Sequence, residues 1–304
     1  MTSGRLLHDR RAVPRPPRGV FSGEAYLPWH RALRRHLGEY LIEAFFLALF
    51  ITAAGVVATV LDMPAVHRAV GGPAARRAVA GAAMGLLAMA MIYSPWGRRS
   101  GTHLNPAMTL AFWRLRKVGH YDLLFYVLAQ FAGGAAGIGV VRAWMAPALV
   151  DGPGTGVLPT EFGGLLMAFA VEFVMAATAM LVVLLTINHI ALYRWAGVAC
   201  GLLAAVYAAF QSPLSALGMN PARTAFAALA AGRGDALWVS LLAPVLGMLL
   251  AVDAYRLLTG RTQVACAKLA HNVEGRCIFR CQHPAQARVI ALKKLDRELH
   301  ERRA

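Results

Sequence analysis

The sequence predicts an all-α integral membrane protein, with six transmembrane helices plus two re-entrant half-helices arranged as an inverted repeat. Three observations carry this expectation. Of the 304 residues, 58% are hydrophobic and only 15% charged, with a mean hydropathy of +0.52, far more apolar than a soluble domain of this length. Several apolar stretches approach the ~20 residues that cross a hydrocarbon core of about 30 Å. The triplet Asn-Pro-Ala occurs twice, at Asn105–Ala107 and Asn220–Ala222, in a chain with only four Asn.

Residues 1–36 are polar and rich in Pro and Arg, without an apolar core, so they are expected to be a basic cytoplasmic segment rather than a signal peptide. Apolar runs then place spans near Leu37–Leu61, Ala78–Tyr93, Leu123–Met145, Gly163–Ile187, Trp195–Phe210 and Ala236–Leu258, the second and fifth being short. Two further apolar pieces, Pro106–Trp113 and Pro221–Ala231, follow the triplets and are too short to span. Backbone that enters a membrane without crossing it must be buried in protein or line a water-filled cavity. These two pieces are therefore read as half-helices.

The net charge of +16 raises nucleic acid as a partner, but its placement favours topology. Arg5 to Arg35 precede the first span, Arg98 to Lys117 lie between spans two and three, and most other cations follow Leu258. With an even number of spans these segments share one side, which the positive-inside rule makes cytoplasmic. The loop Ala146–Phe162 on the other side carries Asp151 and Glu161 and no Lys or Arg. Arg68, Arg76, Arg77, Arg142 and Arg233 depart from the pattern. The expected partners are membrane lipid and small solutes rather than nucleic acid, and the expected location is the plasma (cell inner) membrane with both termini cytoplasmic.

The chain repeats itself. Glu43 sits in "IEAFFLALFITAAGVV" of span one and Glu172 in "VEFVMAATAMLVVLL" of span four, and each half runs span, span, half-helix, span. An odd number of spans per half inverts the second half, giving repeats of about residues 37–145 and 163–258 whose functional site belongs near the midplane. Pro at the first helical position loses no intrahelical hydrogen bond, and Asn before it is a favoured cap. Each triplet thus starts a half-helix with its positive dipole end toward the membrane centre. Asn105 and Asn220 then offer amide donors where a neutral polar molecule passes, and the converging positive potential repels protons and cations.

At these residues the chain resembles the aquaporin, or major intrinsic protein, family. The resemblance rests on "SGTHLNPA", "GMNPAR", the two span glutamates, "AQFAGG" at Ala129–Gly134 and "APVLG" at Ala243–Gly247, and covers roughly Leu37–Leu258. It implies a right-handed helical bundle, usually a homotetramer with a pore in each protomer, acting as a passive water channel or glycerol facilitator. It further implies that Asn105 and Asn220, with Pro106, Ala107, Pro221 and Ala222 of the motifs, form the centre of the pore. By the same resemblance Arg223 stands at the outer constriction, Glu43 and Glu172 accept hydrogen bonds from re-entrant backbone, and His103 braces a loop.

Family spacing puts the remaining filter residues at Gly85, Ala208 and Leu217. Water-selective members carry a large aromatic and a His at the first two places. Gly and Ala imply a wider opening, suited to glycerol, urea or neutral metalloid acids. A packing role for Gly85 is the alternative, because Gly81 and Gly85, like Gly197 and Gly201, form small-xxx-small pairs, and Met84, Met89 or Phe210 would then fill the pore. Thr224 stands where glycerol-conducting members have Asp, which leaves a water-selective channel as the second reading.

Beyond Thr259 the chain becomes polar and basic. Cys266, His271, Cys277, Cys281 and His283 lie within eighteen residues. They suit zinc or a soft metalloid such as arsenite, or an inert disordered tail. Ala285–Ala304 reads as a basic amphipathic helix, with Val289, Ile290, Leu292, Leu295 and Leu299 on one face. Two other function classes stand beside the channel. An ion-coupled secondary transporter would use Glu43 and Glu172, and a membrane enzyme or metal sensor would centre on the tail. No span carries a catalytic set of His, Cys or carboxylate, so no enzyme and no cofactor is expected.

Overall fold

The computed structural model describes residues 26–144, 164–189, 191–215, 218–232, 234–260, 264–271 and 276–282. The Ala146–Phe162 loop, Leu217, Arg233, His283, the Ala285–Ala304 stretch and most of the N-terminal segment lie outside these residues. The described chain is helical, in the order α1 (Trp29–Asp62), α2 (Pro64–Val70), α3 (Pro73–Tyr93), α4 (Pro95–Ser100), α5 (Pro106–Arg114), α6 (His120–Trp144), α7 (Gly164–Ile187), α8 (Ala196–Ser215), α9 (Pro221–Ala230) and α10 (Leu237–Thr259). Five of these, α1, α3, α6, α7 and α10, are long and apolar enough to cross a membrane. The fifth expected span is α8, and α5 and α9 are the two short helices.

Proline sets many of the boundaries. Pro64, Pro73, Pro95, Pro106 and Pro221 each open a helix, where the missing N–H is no loss. Ser94 ends α3 in extended backbone and caps α4, its Oγ accepting from Gly97 N at 2.9 Å. Gly101, at φ 101°, closes α4 in the left-handed region.

Two helices start earlier than apolarity alone predicts. α1 begins at Trp29 rather than Leu37 and α3 at Pro73 rather than Ala78. The added turns carry Arg31, Arg34, Arg35, Arg76 and Arg77, whose long side chains let a helix run past the apolar core while the charge stays near water. Arg77 also ties α3 to α8, its Nε donating to Ala209 O at 3.3 Å.

The two halves pack alike. α1 lies on α6, α7 lies on α10, and α3 crosses α8 between the halves. A Cβ on Gly133 would stand 2.3 Å from Ala44 O, and one on Gly247 would stand 2.3 Å from Phe173 O. Ala44 and Phe173 each directly follow a span glutamate, so both repeats bring their outer helices into contact at the same level through a glycine. Large apolar side chains such as Leu41, Leu86, Leu128, Leu202 and Leu250 face outward and are exposed, the arrangement lipid demands and water does not favour.

Candidate functional site

The two Asn-Pro-Ala triplets meet head to head. Asn105 and Asn220 cap α5 and α9, each side-chain oxygen accepting from the second helical N–H, Ala107 N at 2.9 Å and Ala222 N at 3.1 Å. Each amide nitrogen crosses to the other loop. Asn105 Nδ2 donates to Met219 O at 2.7 Å, and Asn220 Nδ2 donates to Leu104 O at 2.6 Å. The hydroxyl of the Thr four residues after each Asn bonds back, Thr109 to Asn105 O at 3.1 Å and Thr224 to Asn220 O at 2.9 Å.

The residue before each Asn is held in the left-handed region, Leu104 at φ 50° and Met219 at φ 42°. Such a conformation costs a non-glycine residue about 1–3 kcal/mol. It turns the residue's N–H toward a buried glutamate and its carbonyl toward the opposite Asn. Leu104 N donates to Glu43 Oε2 at 2.6 Å, and Met219 N donates to Glu172 Oε2. Hydrogen bonds to a carboxylate are the strong kind, and buried they offset the strain.

Both glutamates are closed off from solvent and hold re-entrant loops. Glu43 also accepts from His103 N at 3.1 Å, Ser100 Oγ at 2.8 Å and Gln130 Nε2 at 2.9 Å, while Glu172 also accepts from Gly218 N at 2.6 Å. Reasoning from sequence singled out the glutamates and His103 but missed Ser100, Tyr126 and Gln130. Tyr126 donates to Ser100 O at 2.6 Å. The signal for Gln130 was present, as a lone amide inside an apolar span. A second missed network lies at the starts of α1 and α6, where Tyr40 Oη and His36 Nδ1 each approach Asp122 Oδ1 to 2.6 Å.

His103 is a brace. Its ring is sandwiched between Phe112 and Phe279, at centroid distances of 5.1 and 5.3 Å and interplanar angles of 19° and 14°. Nδ1 lies 3.1 Å from Thr109 Oγ1, and Nε2 lies 2.7 Å from Ala267 O.

Of the filter positions, Arg223 is buried in the first turn of α9. Gly85 sits in the contact between α3 and α8, where a Cβ would meet Gly201 O at 2.4 Å. One turn away, a Cβ on Gly81 would stand 2.9 Å from Ala208 Cβ. The small residues at 81, 85, 201 and 208 therefore let the two helices touch, the packing role left open by the sequence. Arg99, near the end of α4, pairs with buried Glu39 at 3.0 Å.

Residues 264–271 and 276–282 pack against the bundle end formed by the starts of α1 and α6 and the end of α7, rather than standing away as an inert tail. Ala265 N donates to Asn188 Oδ1 at 2.7 Å, Leu269 N to Gly101 O at 3.3 Å and Arg280 N to Lys117 O at 2.9 Å. Val264, Ala267, Leu269, Ile278 and Phe279 join the main core beside Phe112, Tyr126 and Tyr255. Burial pushes the Lys117 ammonium down to about 8. Cys266, His271, Cys277 and Cys281 come together, with their ligand atoms all within 4.8 Å of one another.

Comparison with known proteins fits this geometry. The profile described as Major intrinsic protein matches residues 30–255. Aquaporin NIP2-3 of Zea mays is 32% identical over 77% of this chain and 74% of its own length, and Aquaporin NIP6-1 of Arabidopsis thaliana is 30% identical over 75% and 70%. Aquaporin NIP1-3 of Oryza sativa subsp. japonica is 36% identical over 57% of this chain, which spans 59% of that relative's length. The X-ray structure of the aquaglyceroporin from Plasmodium falciparum shares the fold, with a TM-score of 0.54 at 20% identity, covering 73% of this chain and 95% of that one. With two capped half-helices meeting between inverted repeats and a family match across most of its length, the chain belongs to the major intrinsic protein family of membrane channels.

Proposed function

We propose that the chain is a passive channel for water and small neutral solutes, wide enough for glycerol, urea or a neutral metalloid acid. The observation that carries this reading is the head-to-head meeting of Asn105 and Asn220. Each amide has two N–H groups, and one is engaged across the junction. The second is available to a solute oxygen, at the point where two helix N-termini converge. A hydroxyl or carbonyl is welcome there, whereas a proton or cation meets positive potential from both sides.

Arg223 adds a buried cation with five donors, suited to orienting solute oxygens and opposing cations. Gly85, Ala208 and Leu217 complete the filter by family spacing. Gly85 brings α3 and α8 together and adds no bulk to the passage, and Ala208 adds only a methyl. The width of the filter rests on this lack of side-chain volume.

In the proposed setting the chain lies in the cell inner membrane, with both termini and the basic loops cytoplasmic. It assembles as a homotetramer whose outward apolar faces meet lipid or sister protomers. An ion-coupled transporter would need a midplane carboxylate free to exchange a cation. Glu43 and Glu172 are instead engaged by the backbone N–H groups of the loops, which favours the uncoupled channel. The test is uptake of radiolabelled glycerol and urea into proteoliposomes, with and without proton or sodium gradients. Rates unchanged by the gradients and linear in solute concentration are expected, and uptake that collapses with a gradient would replace the channel by a transporter.

A further inference from the structure

The Cys/His cluster lies outside the channel. Its members come from a segment with no regular secondary structure in its described residues, yet Cys266, Cys277 and Cys281 are each buried. We propose that Cys266, His271, Cys277 and Cys281 form a tetrahedral Cys3His site for one Zn2+, and that the ion fixes this segment over the first re-entrant loop.

Distances, donor chemistry and charge agree. Tetrahedral zinc with Zn–S of about 2.3 Å and Zn–N of about 2.0 Å puts its ligand atoms roughly 3.5–3.8 Å apart. Cys266 Sγ and Cys277 Sγ are 3.6 Å apart, His271 Nε2 and Cys281 Sγ are 3.0 Å apart, and no pair exceeds 4.8 Å. Closing around an ion thus requires shifts of about an ångström or less. Three thiolates and an imidazole suit zinc and exclude hard cations such as Mg2+ and Ca2+, which need oxygen ligands. Binding releases the thiol protons to solvent and leaves a site of net charge −1.

Two buried lysines stand where that charge needs them. Lys117 and Lys268 are each 2% exposed, and buried lysines are rare unless paired. Lys117 bonds the residues on either side of Cys281, and Lys268 lies two residues after Cys266. Both ammonium groups also tie the segment together, Lys117 donating to Arg280 O at 3.2 Å and Gln282 Oε1 at 2.9 Å, and Lys268 to Arg276 O at 3.1 Å.

The site has a consequence for the pore. Ala267, next to Cys266, accepts from His103 Nε2, and Phe279, midway between Cys277 and Cys281, stacks on the His103 ring. Gly101 must be glycine, because a Cβ there would stand 2.8 Å from the Phe279 ring. Two residues beyond His103 lies Asn105. The metal therefore clamps the segment that braces the first re-entrant loop.

The experiment uses the full-length protein purified in detergent. Bound zinc is measured by mass spectrometry, and replacement with Co2+ is followed by visible absorption. About one zinc per chain is expected, together with the intense bands of tetrahedral thiolate-bound Co2+. Both should be lost in Cys277→Ser and Cys281→Ser and retained in Cys200→Ser, whose thiol sits on α8. Should the tail variants misfold, the wild type still decides. Stripping with a strong chelator should speed tryptic cleavage at Arg276 and Arg280 at least tenfold, with protection restored by Zn2+ and not by Mg2+. The proposal is overturned if wild-type protein takes up no Zn2+, if uptake survives the double Cys277→Ser/Cys281→Ser change, or if stripping leaves cleavage unchanged. A Cys266–Cys277 disulfide in the native protein, or binding of trivalent arsenic without zinc, would overturn it equally.

Discussion

The two re-entrant loops are built on one plan and braced to different degrees. Both have a left-handed residue before the Asn, a buried glutamate accepting from that residue's N–H, a cross-loop amide bond and a back-bonding Thr. Beyond this plan they diverge. The first loop gathers Ser100, Gln130, Tyr126 and His103 around Glu43 and is covered by the Cys/His segment. The second, in its described residues, carries Arg223 and no comparable aromatic cover. The difference separates two duties. The shared plan builds the meeting point, the first loop adds side-chain bracing, and the second carries Arg223, the cation we propose as the discriminating one.

The largest expected effect tests the shared plan. Glu43→Ala and Glu172→Ala each strand buried N–H groups that had a carboxylate, and each should cost about 1–3 kcal/mol per stranded donor. Thermal unfolding in detergent should show both variants severely destabilised, and one freely tolerated variant breaks the equivalence of the loops. His103→Ala tests the asymmetry. It removes a buried hydrogen bond and two ring contacts, about 2 kcal/mol together. It should expose the Cys/His segment to protease, while the ratio of glycerol to water flux stays near its wild-type value.

Arg223→Ala should do the reverse. We expect little change in unfolding temperature but a looser filter, seen as a higher flux of solutes larger than water and a loss of cation exclusion. Ala208→Phe should suppress glycerol more than water. The smallest effect concerns strain. Leu104→Gly and Met219→Gly each relieve a positive φ and should stabilise by about 1 kcal/mol. Equal gains at the two sites would sharpen the symmetry, and a gain at one site alone would place the strain in a single loop.

The symmetric part of this design was legible in the sequence. Two Asn-Pro-Ala triplets and two span glutamates are local signals with a direct physical reading, and apolar runs located the spans, although α1 and α3 begin more than a turn before those runs. The bracing was not legible. Ser100 on α4 and Tyr126 and Gln130 on α6 gather around Glu43 of α1, and no spacing rule joins these separate helices. Gly85 shows a different limit. Counting back from Asn105 places it in the proposed filter, but a small residue has no side chain to declare what else it does, and its close approach to Gly201 across α3 and α8 appears only in the structure. The Cys/His residues were visible as a composition, yet their convergence depends on Lys117, Asn188 and His103, each far away in the chain.

The central claim is a wide, passive passage, and stopped-flow light scattering on proteoliposomes tests it most directly. Osmotic water flux is compared with the influx of glycerol and urea under matched gradients. The account predicts rapid influx of both larger solutes, well above empty liposomes, alongside water flux. Fast water with glycerol and urea excluded would contradict the wide filter, and flux of none of the three would contradict the channel itself.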